Sequence, residues 1–135
     1  MKTLKLIFLL LLTVSCSNAL ARNDKLVGNW IRIGGDSAWG RIDIDDSLRA
    51  KGYRMCGDIL CGEPVIFRLA SYGQTRLTVF HTRATGSVTE PNGNFTATEI
   101  IEVENGKMTV REYQKSNTPG YPSLIYTMIM AKGRR

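Results

Sequence analysis

The chain alternates apolar and polar residues with a period of two along most of its length. The alternation is strict from Gly40 to Asp45 and continues over a longer run from Phe95 to Val103. No helical period persists beyond two turns, so the pattern predicts β-strands and no long helix. The last run, Leu124 to Met130, is apolar on both faces, which predicts a strand that is central in a sheet or closes a barrel.

Turn residues divide these runs into short strands. Gly34-Gly35-Asp36 and Gly73 end two of them, and Asn105-Gly106 is typical of a two-residue β-hairpin. About eight short antiparallel strands at roughly ten-residue spacing predict an all-β meander, either a barrel or a sandwich. We favour a single up-and-down barrel, because closure removes the sheet edges that would otherwise pair with other chains.

The N-terminal segment has a different pattern from the rest. Two lysines precede an uncharged, leucine-rich run from Leu6 to Val14, and Ala19-Leu20-Ala21 follows. This order is typical of a secretory signal peptide. The run breaks at Ser15, well short of the roughly 20 apolar residues of a transmembrane helix. We therefore predict a signal peptide over 1–21 and a single domain over 22–135.

Removal of the signal peptide leaves Cys56 and Cys61 in an oxidising compartment. The four residues between them fit a short hairpin loop whose base residues lie within disulfide range, so we predict a Cys56–Cys61 disulfide. A thiol-redox pair would favour C-x-x-C spacing, and a zinc site needs more ligands than the single His81.

Cys16 has a second interpretation besides removal with the signal peptide. Thr13-Val14-Ser15-Cys16 resembles the cleavage box of bacterial lipoproteins, in which the cysteine becomes the lipidated first residue of the mature chain. The resemblance implies a membrane anchor at Cys16. Soluble export after Ala21 is the alternative, and membrane contact is expected only if Cys16 is lipidated.

The charge balance changes once the processed segment is set aside. The whole sequence has a net charge of +6. Lys2 and Lys5 leave with the signal peptide, and Lys132, Arg134 and Arg135 form a short basic tail. The domain between them is nearly neutral, and its arginines are spread along alternating strands. Nucleic acid is therefore not expected as a partner.

The sequence offers few catalytic or metal-binding motifs. His81 is the single histidine, and no nucleophile elbow, phosphate-binding glycine loop, zinc-protease or dinucleotide motif accompanies it. Asp43, Asp45 and Asp46 lack the glycine and distal glutamate of a Ca²⁺ loop. We expect a solvated face at these aspartates, and we expect no metal, no cofactor and no catalytic set.

Glu99 is the acidic residue that the alternation places inside the barrel. It shares a face with Ala97 and Ile101, whereas Glu102 and Glu104 lie on the outward face. A buried carboxylate needs a partner, for which we expect an arginine of a neighbouring strand. Glu99 would then be a polar anchor, either for a bound ligand or for the internal structure of the barrel.

Two sequence motifs resemble those of known families. Gly28-Asn29-Trp30 resembles the Gly-x-Trp opening of lipocalins and avidin-like proteins. This resemblance implies an eight-stranded barrel with Trp30 sealing one end, covered by a basic residue, here Lys132 or Arg134. A core tryptophan beside a turn glycine is the alternative.

The Cys-Gly-Asp-Ile-Leu-Cys-Gly stretch from Cys56 to Gly62 is similar to a turn of small exported bacterial proteins. That likeness covers the first third of the mature chain and implies a barrel without an established activity.

Together these observations predict an exported, non-catalytic binding protein of lipocalin-like type, periplasmic or secreted. It would hold a small apolar or amphipathic ligand, with Glu99 and Trp30 as candidate contacts, or a protein partner. Trp39 and Tyr121 are the candidate partner contacts, because loop aromatics often anchor interfaces. Trp39 folded back onto the barrel is the alternative. A periplasmic inhibitor of a protease or lysozyme is a variant of this class, and an uncharacterised enzyme is the remaining alternative.

Overall fold

The computed structural model describes residues 25–36, 39–84, 94–116, 120 and 123–134, with the backbone alone at 82–84 and 94–95. Within these residues the chain forms strands and no helix, so the predicted all-β class is confirmed. The strands are, in chain order, β1 Gly28–Gly35, β2 Arg41–Ile44, β3 Ala50–Tyr53, β4 Met55–Cys56, β5 Ile59–Leu60, β6 Val65–Ile66, β7 Arg68–Tyr72, β8 Arg76–Ala84, β9 Asn94–Glu104, β10 Lys107–Ser116 and β11 Leu124–Lys132.

One antiparallel sheet contains nine of these strands, in the order β6-β3-β2-β1-β11-β10-β9-β8-β7. β6 and β7 stand at opposite ends of this order, yet Phe67 alone separates them in the chain. This segment pairs with β3 through its first part and with β8 through its second, so it nearly closes the sheet into a barrel. Counted as one continuous strand, β6 and β7 give the predicted up-and-down barrel of about eight strands.

The turn between β9 and β10 fixes how these two longest strands align. Asn105 and Gly106 have φ angles of 51° and 73°, as a type I′ turn requires at both of its central positions. The turn pairs Glu104 with Lys107, and the register then runs without a break to Phe95 opposite Ser116. The two-residue hairpin predicted from Asn-Gly is therefore present.

Side chains fill the lumen of the barrel. The inward positions of the strands carry large apolar residues that are completely buried, among them Trp30, Ile42, Ile101, Met108 and Met128. Each buried side chain of this size stabilises the fold by about 1.5–3 kcal/mol relative to exposure. Barrels of about eight strands are commonly filled in this way. The interior is thus a packed core.

β11 lies between β1 and β10, so the prediction of a central last strand is confirmed. Its two apolar faces have different surroundings. Met128 and Met130 point into the lumen and are buried, whereas Ile125 and Ile129 are exposed on the outer wall. The apolar character of the outward face is therefore not explained by packing within the barrel.

β4 and β5 form a separate hairpin that a disulfide closes. The Cα atoms of Cys56 and Cys61 are 5.1 Å apart and their sulfurs are bonded, which confirms the predicted pairing. The turn is tighter than the predicted four-residue loop, since Cys56 pairs directly with Ile59. Gly57 makes this tight turn feasible by taking a φ of 69°, a conformation that L side chains rarely adopt.

Candidate functional site

Two glutamates face each other inside the barrel. Glu99 of β9 and Glu112 of β10 are register partners, and both are 0% exposed. Each carboxyl group influences the ionisation of the other. We call these two residues the carboxyl pair. Glu99 thus faces inward as the alternation predicts; its cross-strand partner is a second carboxyl group, and the charge of an arginine, Arg54, acts on it as well.

Burial changes the acidity of the carboxyl pair. The pKa of Glu99 and the pKa of Glu112 each rise from 4.5 to about 7. Desolvation is the largest cause for both, because an environment without water disfavours the ionised form. Two carboxyl groups in contact titrate as one unit, and the first ionisation opposes the second. Both carboxyl groups are therefore only partly ionised near neutral pH.

Neighbouring polar groups hold the carboxyl pair in place. Trp39 Nε1 donates a hydrogen bond of 2.7 Å to Glu112 Oε2, and Gln114 Nε2 donates to Glu112 Oε1. On the other side of the pair, His81 Nδ1 lies 3.0 Å from Glu99 Oε1, with both side chains buried. Glu112 thus accepts hydrogen bonds on both oxygens, which stabilises its charged form against the cost of burial.

Trp39 is the centre of an aromatic layer beside the carboxyl pair. Its ring meets Phe67 edge to face at a centroid distance of 5.0 Å, and the His81 ring at 5.3 Å. The Arg54 guanidinium stacks 4.3 Å from the Trp39 ring centroid, and its charge lowers the pKa of Glu99 in opposition to burial. Gly52 is required here, because a Cβ at that position would collide with both the Phe67 and Trp39 rings.

The interpretation of Trp39 as an exposed partner contact is therefore wrong. The side chain is fully buried, and its indole N–H is used inside the barrel by Glu112. Its backbone N–H also points inward and donates to Met128 Sδ at 3.4 Å. The alternative, in which Trp39 folds back onto the barrel, is the arrangement that the structure has.

The chemistry open to the carboxyl pair follows from its isolation. Neither carboxyl group is exposed, so a substrate has no approach to them in this conformation. The pair can exchange a proton with its surroundings and fix the positions of Trp39 and Gln114. Within the described residues no group of three or more side chains is arranged to hold a metal ion.

A cavity of about 350 Å³ lies at the end of β9, β10 and β11 farthest from Trp30. Its walls combine apolar groups, hydroxyl groups and an amide, with Lys115 as the charged member; they are Thr96, Thr98, Tyr113, Gln114, Lys115, Ser123, Leu124 and Ile125. Gln114 joins this cavity to the interior, since its amide nitrogen donates to Glu112. We call it the Gln114 cavity.

Exposed apolar side chains continue from the Gln114 cavity along the outer wall. They belong to the neighbouring strands β10, β11 and β1, and we call them the outer-wall stripe: Tyr113, Ile125, Ile129, Ile33 and Ile31. Tyr113 lies directly opposite Ile125, and Gly34, next to Ile33, lies opposite Ile129. Contiguous exposed apolar surface on a soluble domain often marks a binding site.

Trp30 occupies the other end of the barrel. Its indole N–H donates to the Leu26 carbonyl oxygen at 2.8 Å, and Lys132 Nζ lies 5.3 Å from its ring centroid. Gly28, with a φ of 142°, leaves room for the Lys132 stem, which a Cβ would approach to 3.4 Å. Of the two basic residues expected over Trp30, Lys132 is thus in contact. A cavity of about 790 Å³ opens at this end, lined in part by Trp30 and Arg76.

Three of the other acidic residues, Asp45, Asp43 and Glu102, have structural partners. Asp45 accepts hydrogen bonds from the backbone N–H groups of Ser47 and Arg49, which orders the β2–β3 turn. Asp43 forms a 2.8 Å ion pair with Arg41. The outward residue Glu102 lies 3.4 Å from Arg76 in an exposed ion pair. Cys16 and Tyr121, with the predicted signal peptide, lie outside the described residues.

Glu112 is the residue of the site that sequence reasoning missed. Two sequence signals point to it. It alternates with Met108 and Val110 on the apolar face of its strand. In addition, a two-residue turn at Asn105-Gly106 places Glu112 directly opposite Glu99. Combining the turn with the alternation would have identified two inward carboxyl groups in contact.

Comparison with protein families, with curated proteins and with solved structures finds no match to this chain. The described part of the chain contains no helix that is long and apolar enough to cross a membrane.

Proposed function

We propose that this protein is an exported, non-catalytic binding barrel of lipocalin-like type that holds a small amphipathic ligand. The observation that carries the proposal is the Gln114 cavity, where apolar walls, hydroxyl groups and an amide converge on about 350 Å³. Ligand sites of proteins have this composition and begin at about this volume. The isolation of the carboxyl pair favours a binding role over a catalytic one, because the buried acids are out of reach of a substrate.

Binding of a neutral fluorescent amphiphile, phenylnaphthylamine, tests this proposal. We expect saturable binding of one probe per chain, with competitive displacement by dodecanol. Tyr113→Ser should weaken the binding, because the ring forms part of the apolar wall of the cavity. Thr75→Ser, which alters a residue lining the cavity at the Trp30 end, is the control. Non-saturable partitioning, or no binding at all, would contradict the proposal.

A specific observation favours a second candidate, the binding of a protein partner through the disulfide-closed hairpin. Ile59, directly after the Gly57-Asp58 turn, is 70% exposed, and the disulfide constrains the hairpin before any partner binds. Preorganised apolar anchors of this kind reduce the entropy cost of association. The inhibitor variant of this candidate predicts that the protein lowers the activity of a secreted protease or of lysozyme, and that Ile59→Asp abolishes the effect.

The proposal of export has its own test. Mass spectrometry of the protein purified from the cell envelope should find an N-terminus at Arg22 if a soluble signal peptide is removed. A lipidated Cys16 would add the mass of acyl chains and move the protein to the membrane fraction. Cys16→Ala would then release the protein from that fraction. An intact N-terminus at Met1 would contradict both forms of export.

A further inference from the structure

The outer-wall stripe has an unusual place for an apolar surface in a small barrel. Antiparallel strands with one face on a core normally place polar residues on the other face. On β11 the outward face instead presents Ile125, 64% exposed, and Ile129, with the hydroxyl-bearing Thr127 between them. The lumen is filled by side chains such as Met108 and Met128, so apolar binding surface is found on the wall of the barrel and not within it.

The stripe has the dimensions of a track for an extended chain. Ile125 and Ile129 are four residues apart in β11, which is about 14 Å along a strand. Ile33 and Ile31 continue the apolar surface beyond Ile129 onto β1. At its other end the stripe enters the Gln114 cavity, which Ile125 also lines. A linear apolar group laid along the stripe would contact Ile125 and Ile129 and pass over Thr127 between them.

The two ends of this surface differ in polarity. Lys115 is the charged side chain that lines the Gln114 cavity, and the hydroxyl-bearing residues Thr96, Thr98 and Ser123 line the same cavity. Arg111, a second outward cation of β10, lies 3.7 Å from Glu102, so an ion pair already engages it. An ammonium group beside several hydroxyl donors complements an anion. Ile31, Ile33 and Ile129 form the apolar end, and Lys107, opposite Ala131, is the outward cation of β10 near it.

We propose that the outer wall of β11 binds a single-chain amphiphile with an anionic head group. The head lies in the Gln114 cavity at Lys115, and the apolar chain lies along the outer-wall stripe. This inference rests on the proposed function and adds to it the charge of the ligand and the position of its chain. A second copy of the protein is the competing occupant, and the experiments below separate the two.

The fluorescence of cis-parinaric acid, a probe with a carboxylate head and a long apolar chain, measures its binding to the exported protein purified in its native form. Ile125→Ser should weaken binding about fivefold to tenfold, because the apolar contact of the side chain is lost. Ile66→Ser is the matched control, since Ile66 is 60% exposed on a strand away from the stripe. Both positions are on the surface, so the variants should fold equally well.

Displacement of the probe by dodecanoate, dodecanol and dodecylamine, each below its micelle-forming concentration, measures the head-group preference. We expect dodecanoate to compete best and dodecylamine worst. Lys115→Gln should reduce the preference for dodecanoate over dodecanol by up to about fivefold, the range of an exposed charge pair. Lys107→Gln, on the same strand at its opposite end, should leave the preference unchanged.

Each outcome decides between defined alternatives. If the Ile125→Ser and Ile66→Ser variants bind the probe with equal affinity, the ligand's apolar chain does not lie on the stripe. The proposed function would then still stand, because the protein binds the probe. Unchanged preference in Lys115→Gln would overturn the position of the head group. Loss of a dimer on Ile125→Ser in sedimentation analysis, without a change in probe affinity, would assign the stripe to a second copy. Absence of binding by every amphiphile would overturn the proposed function as well.

Discussion

Replacing both members of the carboxyl pair by glutamine should remove a pH dependence of folding stability. The pKa of each carboxyl group is raised from 4.5 to about 7 in the folded protein. A group with a raised folded-state pKa contributes its full stability below the unfolded pKa and loses it as the pH rises through the folded pKa. The contribution of the carboxyl pair to the free energy of unfolding should therefore be smaller at pH 8 than at pH 5.

The size of the effect follows from the same values. A rise from 4.5 to about 7 corresponds to ~3 kcal/mol for one carboxyl group, at about 1.4 kcal/mol for each pKa unit. Because the two groups titrate as a coupled pair, ~3 kcal/mol is the loss expected for the first ionisation. That loss is large beside the 5–15 kcal/mol, roughly, by which domains of this kind are stable. Glutamine keeps the shape of glutamate and does not ionise, but its amide nitrogen is a donor, so Glu112→Gln can accept only one of the two hydrogen bonds that Glu112 accepts.

Urea denaturation at constant ionic strength from pH 5 to pH 8 measures this difference. The free energy of unfolding of the wild type should fall by about 3 kcal/mol over this range, and that of Glu99→Gln/Glu112→Gln should stay level within about 0.5 kcal/mol. Glu104→Gln, an exposed change on the same strand, should keep the wild-type slope. A level wild-type profile, or equal slopes in the double variant and the wild type, would contradict the raised pKa values of the carboxyl pair.

Three further predictions concern stability and are checked by urea denaturation. Gly35→Ala should lower the free energy of unfolding by about 2 kcal/mol or more, because Gly35 has a φ of 83° and an added Cβ would collide with backbone atoms. Gly62→Ala is the control and should leave the free energy of unfolding unchanged, because its Cβ meets open space. Replacing Cys56 and Cys61 together by alanine should lower the free energy of unfolding by about 2 kcal/mol and leave the circular dichroism spectrum of the barrel unchanged. Loss of the β-sheet signal would show instead that the hairpin is needed for folding. Trp39→Phe should cost about 1–3 kcal/mol by removing the N–H donor to the carboxyl pair, and an unchanged midpoint would contradict this role.

Local sequence signals predicted the parts of the fold that depend on a single strand or turn. The period-two pattern gave the strands, Asn105-Gly106 gave the hairpin, and the alternation placed Glu99 inside. The cysteine spacing predicted the disulfide. Each of these properties is decided by neighbours in the chain, through backbone conformation or side-chain period.

The remaining features depend on contacts between distant segments. Trp39 precedes β2 in a stretch rich in turn residues, and nothing nearby in sequence shows that Glu112, 73 positions away, accepts its N–H. The closure at Phe67 depends on one short segment pairing with strands on both sides, β3 and β8. Such long-range pairings follow from the assembled topology, which local periodicity does not encode.

The short pairing between β6 and β3 gives the barrel a kinetic property. Val65 and Ile66 make two register pairs with β3, whereas β8 is paired with β9 over its whole length. Regions with few backbone contacts open locally at the lowest free energy. Phe67, next to this seam, packs on Trp39, so opening there admits water toward the buried acids. After a sudden change of pH, the rate of seam opening should therefore set how fast the carboxyl pair reaches its new protonation state.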